Sequence, residues 1–207
     1  MATYGRGLLG RLLWGYTTAK FVQRAPAPVL LVRGDNSSPR FNALPAFNRI
    51  VVPLDGSKYA ENALVSAAHL GRYYRSQSTL LHALTDATHY ASEDDGYLGG
   101  DDGQRHPAAF SYLHSLMDRW RTSMPDIGAA VVQSDKRAEK SILKYCERLD
   151  ADLIALTISD RSSLARLMHG SVADALIRKS RIPLLLSGPN VMLPGSSTKR
   201  ELVSYAG

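Results

Sequence analysis

Two short stretches carry residue types that could hold an anionic ligand. The first, PLDGS at Pro53–Ser57, puts a carboxylate, a glycine and a hydroxyl directly after an apolar run. The second, TISDRSSLARLMHGS at Thr157–Ser171, ends in Gly170-Ser171 where a helical pattern begins. Such a pair offers backbone N–H groups, a hydroxyl and the positive end of a helix dipole, which together suit a phosphate. Ser57 and Ser171 are equally ordinary N-cap residues, and taken alone neither turn requires a ligand. Other chemistries find no residues to carry them. The Asp86–His106 stretch holds Glu93, Asp94, Asp95, Asp101 and Asp102, but an EF-hand alternates its acids before the glycine and here they are adjacent, so a mobile solvated loop is expected. None of the 6 histidines has a His-Glu-x-x-His or Cys-x-x-Cys companion, and neither a Walker loop nor a Gly-x-Ser-x-Gly elbow occurs. No catalytic residue and no metal ligand is assigned.

Both turns follow strands. RIVVPL is a β-branched run from Arg49, and SKYAENALVSAAHLGRYY then spaces Ala60, Ala63, Leu64, Ala67, Gly71 and Tyr74 as one face of a helix. STLLHAL (Ser78–Leu84) is a second strand, and AFSYLHSLMDRW (Ala109–Trp120) a second helix. AAVVQS and AEKSILKYCERL repeat the alternation, with Ala138, Ile142, Tyr145, Cys146 and Leu149 on one face. ADLIALT is a fourth strand, a helix opens near Gly170-Ser171, and IPLLLS closes the series. Strands alternating with helices of this length imply an α/β fold with a doubly wound parallel sheet. In such sheets ligands sit beyond the carboxyl ends of the strands, where both turns lie.

Composition narrows the class further. With 44% hydrophobic and 21% charged residues, the 207-residue chain has the make-up of a soluble globular protein. Its apolar runs, such as PVLLV and LIAL, fall well short of the roughly 20 residues that cross a bilayer, so no membrane partner is expected. The single cysteine, Cys146, excludes an intrachain disulfide and points to a reducing compartment, the cytoplasm, and to inert packing. The net charge of +6 is concentrated at the start: residues 1–48 hold Arg6, Arg11, Lys20, Arg24, Arg33 and Arg40 against Asp35, a net of +5. A near-neutral body gives no basis for a nucleic-acid partner.

The stretches RIVVPLDGSKYAENAL and DADLIALTISDRSSLARLMHGSVADALIRKSRIPLLL, and the order of elements between them, resemble the universal stress protein family over about Arg49 to Ser187. The resemblance implies five parallel strands in the order 3-2-1-4-5, the adenine nucleotide alpha hydrolase-like arrangement. Many members of the family bind ATP through an aspartate after the first strand, a residue at the tip of the second, and a loop of form Gly-x-x-Gly-(nine residues)-Gly-Ser/Thr. Carried over, this makes Asp55, Gly56, Ser57, Ala83, Arg161, Gly170 and Ser171 the candidate nucleotide-binding residues. Where the loop has its first two glycines this chain has Thr157 and Asp160. Glycine lets the backbone approach a phosphate closely. An aspartate adds bulk and a like charge, whose repulsion at about 4 Å is about 1 kcal/mol in water and roughly 4 at an effective dielectric near 20. The resemblance therefore implies a non-enzymatic stress-response protein that acts through protein contacts, with weak or absent ATP binding. The alternative is an ATP-binding sensor using Asp55, Gly170 and Ser171, with ATP and magnesium as the cofactor. A third reading, an enzyme acting on adenylates, has no base or nucleophile.

The basic start of the chain fits the end of the same domain. At an offset of 155, residues 5–33 lie over 160–188 without a gap, with Arg6, Leu9, Arg11, Leu12, Gly15, Pro28, Leu30 and Leu31 identical. A targeting peptide or an amphipathic membrane helix would explain the arginines and leucines, but not the proline-started strand Pro28–Val32. Residues 1–33 therefore read as the closing helix and strand of a preceding domain, 34–48 as a linker, 49–188 as a complete domain and 189–207 as a tail. The chain is expected to be tandem-like, with Pro28–Val32 pairing antiparallel to Pro183–Ser187 within the chain or across a homodimer. Phe21 and Val22 are expected to stay partly exposed unless a second copy covers them.

Overall fold

The structure, a computed structural model, describes residues 2–3, 21–22, 24–33, 46–84, 97–98, 106–134, 137–158 and 172–188. Of residues 2–3, 33 and 97–98 it describes the backbone alone. The described strands are β1 (Ala2–Thr3), β2 (Val29–Arg33), β3 (Arg49–Leu54), β4 (Gln77–Leu84), β5 (Tyr97–Leu98), β6 (Ile127–Gln133), β7 (Leu153–Thr157) and β8 (Leu184–Ser187). The helices are α1 (Asn62–Tyr74), α2 (Pro107–Trp120), α3 (Ala138–Arg148) and α4 (Val172–Lys179). One sheet runs β1-β2-β8-β7-β3-β4-β6-β5. Its central five, β6-β4-β3-β7-β8, are parallel and take the order 3-2-1-4-5 that the sequence implied.

Ile50, Val51, Val52 and Leu54 of β3 are all buried, as befits a central parallel strand covered on both faces. Right-handed crossovers put α1 and α2 on one face and α3 and α4 on the other. On the first face Ala63, Leu64, Ala67 and Ala68 of α1 and Leu113 and Leu116 of α2 pack on Ile50, Val52, Leu80 and Leu153. On the second, Ile142, Tyr145 and Cys146 of α3 and Leu176 and Ile177 of α4 pack on Val51, Leu81, Ile154 and Leu184. Burial pushes the Cys146 thiol up to about 12, with the Glu147 charge adding to it, as expected of a packing cysteine.

Three features depart from the sequence reading. Phe47, at the end of the stretch assigned to the linker, is buried on the first face and meets Tyr74 edge-on at 5.3 Å, so the packed domain begins there. Tyr97–Leu98, inside the acidic loop, pairs antiparallel with Val131 and Val132, placing a short strand where only a solvated loop was expected. Beside the antiparallel pairing of β2 with β8, which forms within the chain as one of the two expected arrangements, the helical turn before β2 buries Val22 completely in the second face while Phe21 stays half exposed. The expectation for Val22 is thus corrected: the chain's own α4 face covers it.

Candidate functional site

The pairing register places Leu54 beside His82, so Asp55 leaves the sheet just past the end of β3, at the level of Ala83, which is still within β4 and paired with Val132. There the chain turns sharply. Asp55 Oδ1 accepts the Ser57 backbone N–H at 2.9 Å and the Ser57 hydroxyl at 2.6 Å. Gly56 makes this possible with φ of 83°, a conformation that side chains with a Cβ rarely adopt. Ser57 Oγ in turn accepts the Ala60 N–H at 3.1 Å, so it closes the turn before the helix and not α1 itself, whose N-cap is Glu61. The following N–H groups of Asn62, Ala63 and Leu64 bond three residues back, so a tighter turn precedes α1.

This turn is fastened to the end of β7. The Tyr59 hydroxyl donates to the Ile158 carbonyl at 2.6 Å, and the Thr157 hydroxyl to the Ala60 carbonyl at 3.4 Å. Thr157 therefore directs its side chain toward the turn that precedes α1. Ala83 is half-buried and packs toward the α3 and α4 face. Its neighbour His82 lies within hydrogen-bond distance of the Leu54 carbonyl, 2.9 Å from Nδ1. A carbonyl only accepts, so Nδ1 carries the proton and Nε2 of the neutral ring is left as an acceptor. Asp160, Arg161, Gly170 and Ser171 lie outside the described residues.

Sequence reasoning missed a polar cluster just below the first turn. Glu61, 8% exposed, is held by Arg119 of α2 at 3.1 Å and by Lys58 at 3.2 Å. Tyr112 of α2 completes it, 6.3 Å from the His82 ring. Burial, and then the charges of Glu61 and Asp55, push the Tyr112 phenol up to about 12 against the opposing pull of Arg119. No motif announces this cluster, because Glu61 in the turn before α1 and Arg119 in α2 lie 58 residues apart. Its chemistry is fastening: it fixes α2 under the turn that carries Asp55.

In the first turn of α4 Asp174 is buried, its carboxyl raised by that burial and held down in part by Arg178 at 2.6 Å. At the opposite end of the sheet a cleft is lined by Arg49, Arg75, Cys146, Asp150 and Asp152. Its charges are engaged in the fold: Asp152 Oδ2 accepts the N–H groups of Asn48 and Arg49 at 2.9 and 3.0 Å, and Arg49 donates to the Leu149 carbonyl at 2.9 Å. Among the described residues no group of three metal-ligating side chains forms, and no helix is long and apolar enough to cross a membrane.

A sheet whose central five strands run parallel in this order defines an α/β fold of the adenine nucleotide alpha hydrolase-like class. The universal stress protein family model matches residues 46–187, and the chain belongs to that family. It is 26% identical over 188 residues to a universal stress protein of Mycobacterium tuberculosis, covering 90% of this chain and 60% of that protein. The stress response protein NhaX of Bacillus subtilis is 25% identical over 160 residues, covering 67% of this chain and 96% of that one. The chain thus spans about 60% of the length of the mycobacterial relatives. Among solved structures, a universal stress protein from Archaeoglobus fulgidus DSM 4304 matches with TM-score 0.60 at 19% identity, covering 91% of this chain and 59% of that one. A universal stress protein in complex with cAMP matches with TM-score 0.55 at 19% identity, covering 69% and 98%. One from Archaeoglobus fulgidus in complex with dAMP matches with TM-score 0.50 at 21% identity, covering 68% and 98%.

Proposed function

We propose that this protein is a cytoplasmic, non-enzymatic stress-response protein that works through protein contacts and binds adenine nucleotides weakly or not at all. The observation that carries the reading is the fastening across the crevice. A nucleotide laid between the two turns must pass Thr157, whose hydroxyl reaches Ala60, and Tyr59, whose phenol reaches Ile158. A glycine at 157 would leave that space open and let backbone approach the phosphates. Asp160 then adds a carboxylate to the loop where a second glycine would be neutral. Asp55 contributes one oxygen already shared by two donors from Ser57.

The ATP-sensor reading retains one support: universal stress proteins in complex with cAMP and dAMP share the fold, and the family resemblance in the sequence implies nucleotide positions at Asp55, Gly170 and Ser171. Calorimetry with ATP and magnesium separates the two. The double variant Thr157→Gly, Asp160→Gly should bind at least about tenfold more tightly than the natural protein, about 1.4 kcal/mol. Equal affinities would overturn the obstruction argument, and tight binding by the natural protein would establish the sensor. As for partners, the homodimer expected through Pro28–Val32 and Pro183–Ser187 now has to form by exchanging or displacing residues 1–33, since those strands already meet within one chain.

A further inference from the structure

The cleft at the amino-terminal ends of the strands is bounded by two helix ends built alike. The Ser76 N–H bonds to the Gly71 carbonyl at the end of α1, and the Ala151 N–H to the Cys146 carbonyl at the end of α3, each five residues back and each at 2.9 Å. Such an ending requires a left-handed residue just before the donor, most often glycine. Here those positions hold Arg75, with φ of 55°, and Asp150, with φ of 50°, the two non-glycine residues of positive φ among the described ones. Both line the cleft, which encloses about 800 Å³. Each therefore carries a backbone strain that glycine would relieve. Asp150 is disfavoured a second time, since a carboxylate after a helix C-terminus meets the negative end of the dipole.

What the two positions share is an exposed charge over one opening, of opposite sign. Beyond the Arg49 and Asp152 groups that the fold engages, Arg75 is exposed and makes no ion pair among the described residues. The Asp150 side chain is 89% exposed and 3.9 Å from Arg49, and Glu147 is exposed beside it. Arg75 precedes β4 and Asp150 precedes β7, with β3 between, so the two walls stand two strand spacings apart, about 10 Å. Opposite charges three positions apart in an extended segment, at about 3.3 Å per residue, match that separation. Next to the Arg75 wall Tyr73 is 80% exposed yet held edge-on to Tyr74 at 4.9 Å, a fixed aromatic of the kind that anchors interfaces. We propose that this cleft is a docking groove for an extended protein segment of mixed charge, with an acidic residue against Arg75 and a basic residue, three positions away, against Asp150 and Glu147. The inference rests on the reading that the protein works through protein contacts, and locates them at the end of the sheet opposite the nucleotide crevice. A purely anionic partner would meet Asp150 and Glu147, and a purely cationic one Arg75.

NMR titration of the isotope-labelled full chain tests it, with the end-capped peptide Ser-Tyr-Glu-Gly-Ser-Lys-Gly-Ser as the probe. The probe has no net charge, so the basic start of the chain does not attract it. Amide shifts are expected at Gln77 and Ala151, which line the cleft. The same peptide with two lysines, or with two glutamates, should bind about fivefold more weakly, the most that one exposed ion pair supplies. Arg75→Gly and Asp150→Gly should each weaken the probe by about fivefold while raising the melting temperature, because the charge is lost and the left-handed backbone relieved. Arg75→Glu should reverse the preference, toward the peptide with two lysines. Equal binding of the three peptides, competition by free glutamate and lysine as strong as by the peptide, or glycine variants that bind unchanged would overturn the proposal. So would a lower melting temperature in either glycine variant, which would assign that side chain to the fold. Tight ATP binding by the natural protein would leave the peptide preference intact, so this inference and the nucleotide reading fail separately.

Discussion

Replacing Arg119 with alanine removes one of the two cations that hold Glu61, and the geometry sets the size of the effect. The Glu61 side chain is 10% exposed and that of Arg119 28%, with 3.1 Å between them. The second cation, Lys58, also lies near at 3.2 Å, but its side chain is 79% exposed. Removing one partner of a buried pair typically destabilises by about 3–5 kcal/mol, because a carboxylate is left in a poorly solvated place. An exposed lysine offsets only about 0–1 kcal/mol of that. Arg119→Ala is therefore expected to destabilise by about 3 kcal/mol, at the lower end of the range because Lys58 remains. In a domain of this size that lowers the melting temperature by about 6–12 °C. Lys58→Ala should shift it by less than about 1 kcal/mol. Glu61→Ala in the Arg119→Ala background should be far less harmful than in the natural protein, since the stranded charge is then gone. Chemical denaturation of the four proteins of the cycle measures the coupling, expected at about 2 kcal/mol. Additivity of the two single changes to within about 0.5 kcal/mol would refute the reasoning.

Gly56→Ala meets open space, so its whole effect comes from forcing a Cβ residue to φ of 83°, an expected loss of about 1–2 kcal/mol by urea denaturation. Burial raises the Asp174 carboxyl, so between its ordinary range and the raised value the folded chain binds more protons than the unfolded one, and stability falls as pH rises through that window. Asp174→Asn should flatten that part of the stability profile and gain stability at neutral pH; an unchanged pH profile would count against the assignment.

The central architecture was legible because it rests on periodicity that survives in one dimension. Each strand of the parallel core and each helix on its faces has an apolar pattern of its own, as in Ile142, Tyr145 and Cys146 of α3. Element ends were less legible. Ala60 fits the apolar face of the first helix, yet residues 58–61 form a tighter turn because Ser57 captures the Ala60 N–H. The two-residue strands β1 and β5 carry too few residues for any period, although extending the 155-residue offset backward from residue 5 would have reached Ala2 and Thr3. Of the candidate site, the Asp55 turn was readable from PLDGS. The links from Tyr59 to Ile158 and from Glu61 to Arg119 were not, since each joins residues brought together only by the sheet. Val22 was misjudged because a segment considered without its neighbours has no core, whereas here α4 and β8 supply one.

Asp152 ties together β3 and β7, the parallel neighbours farthest apart in sequence. β3 and β7 share only two paired positions, Ile50 with Leu153 and Val51 with Ile154, although they sit side by side at the centre of the sheet. The Asp152 carboxylate supplements them by gripping the amides of Asn48 and Arg49, 104 and 103 residues away. Closing a loop of that length carries a large entropic barrier that local hairpins and helices escape. The halves on either side of this seam, β3 with β4 and β6 on one hand and β7 with β8 on the other, can organise on shorter contacts first. The seam is therefore expected to close late in folding, with the Asp152 carboxylate among the contacts that close it.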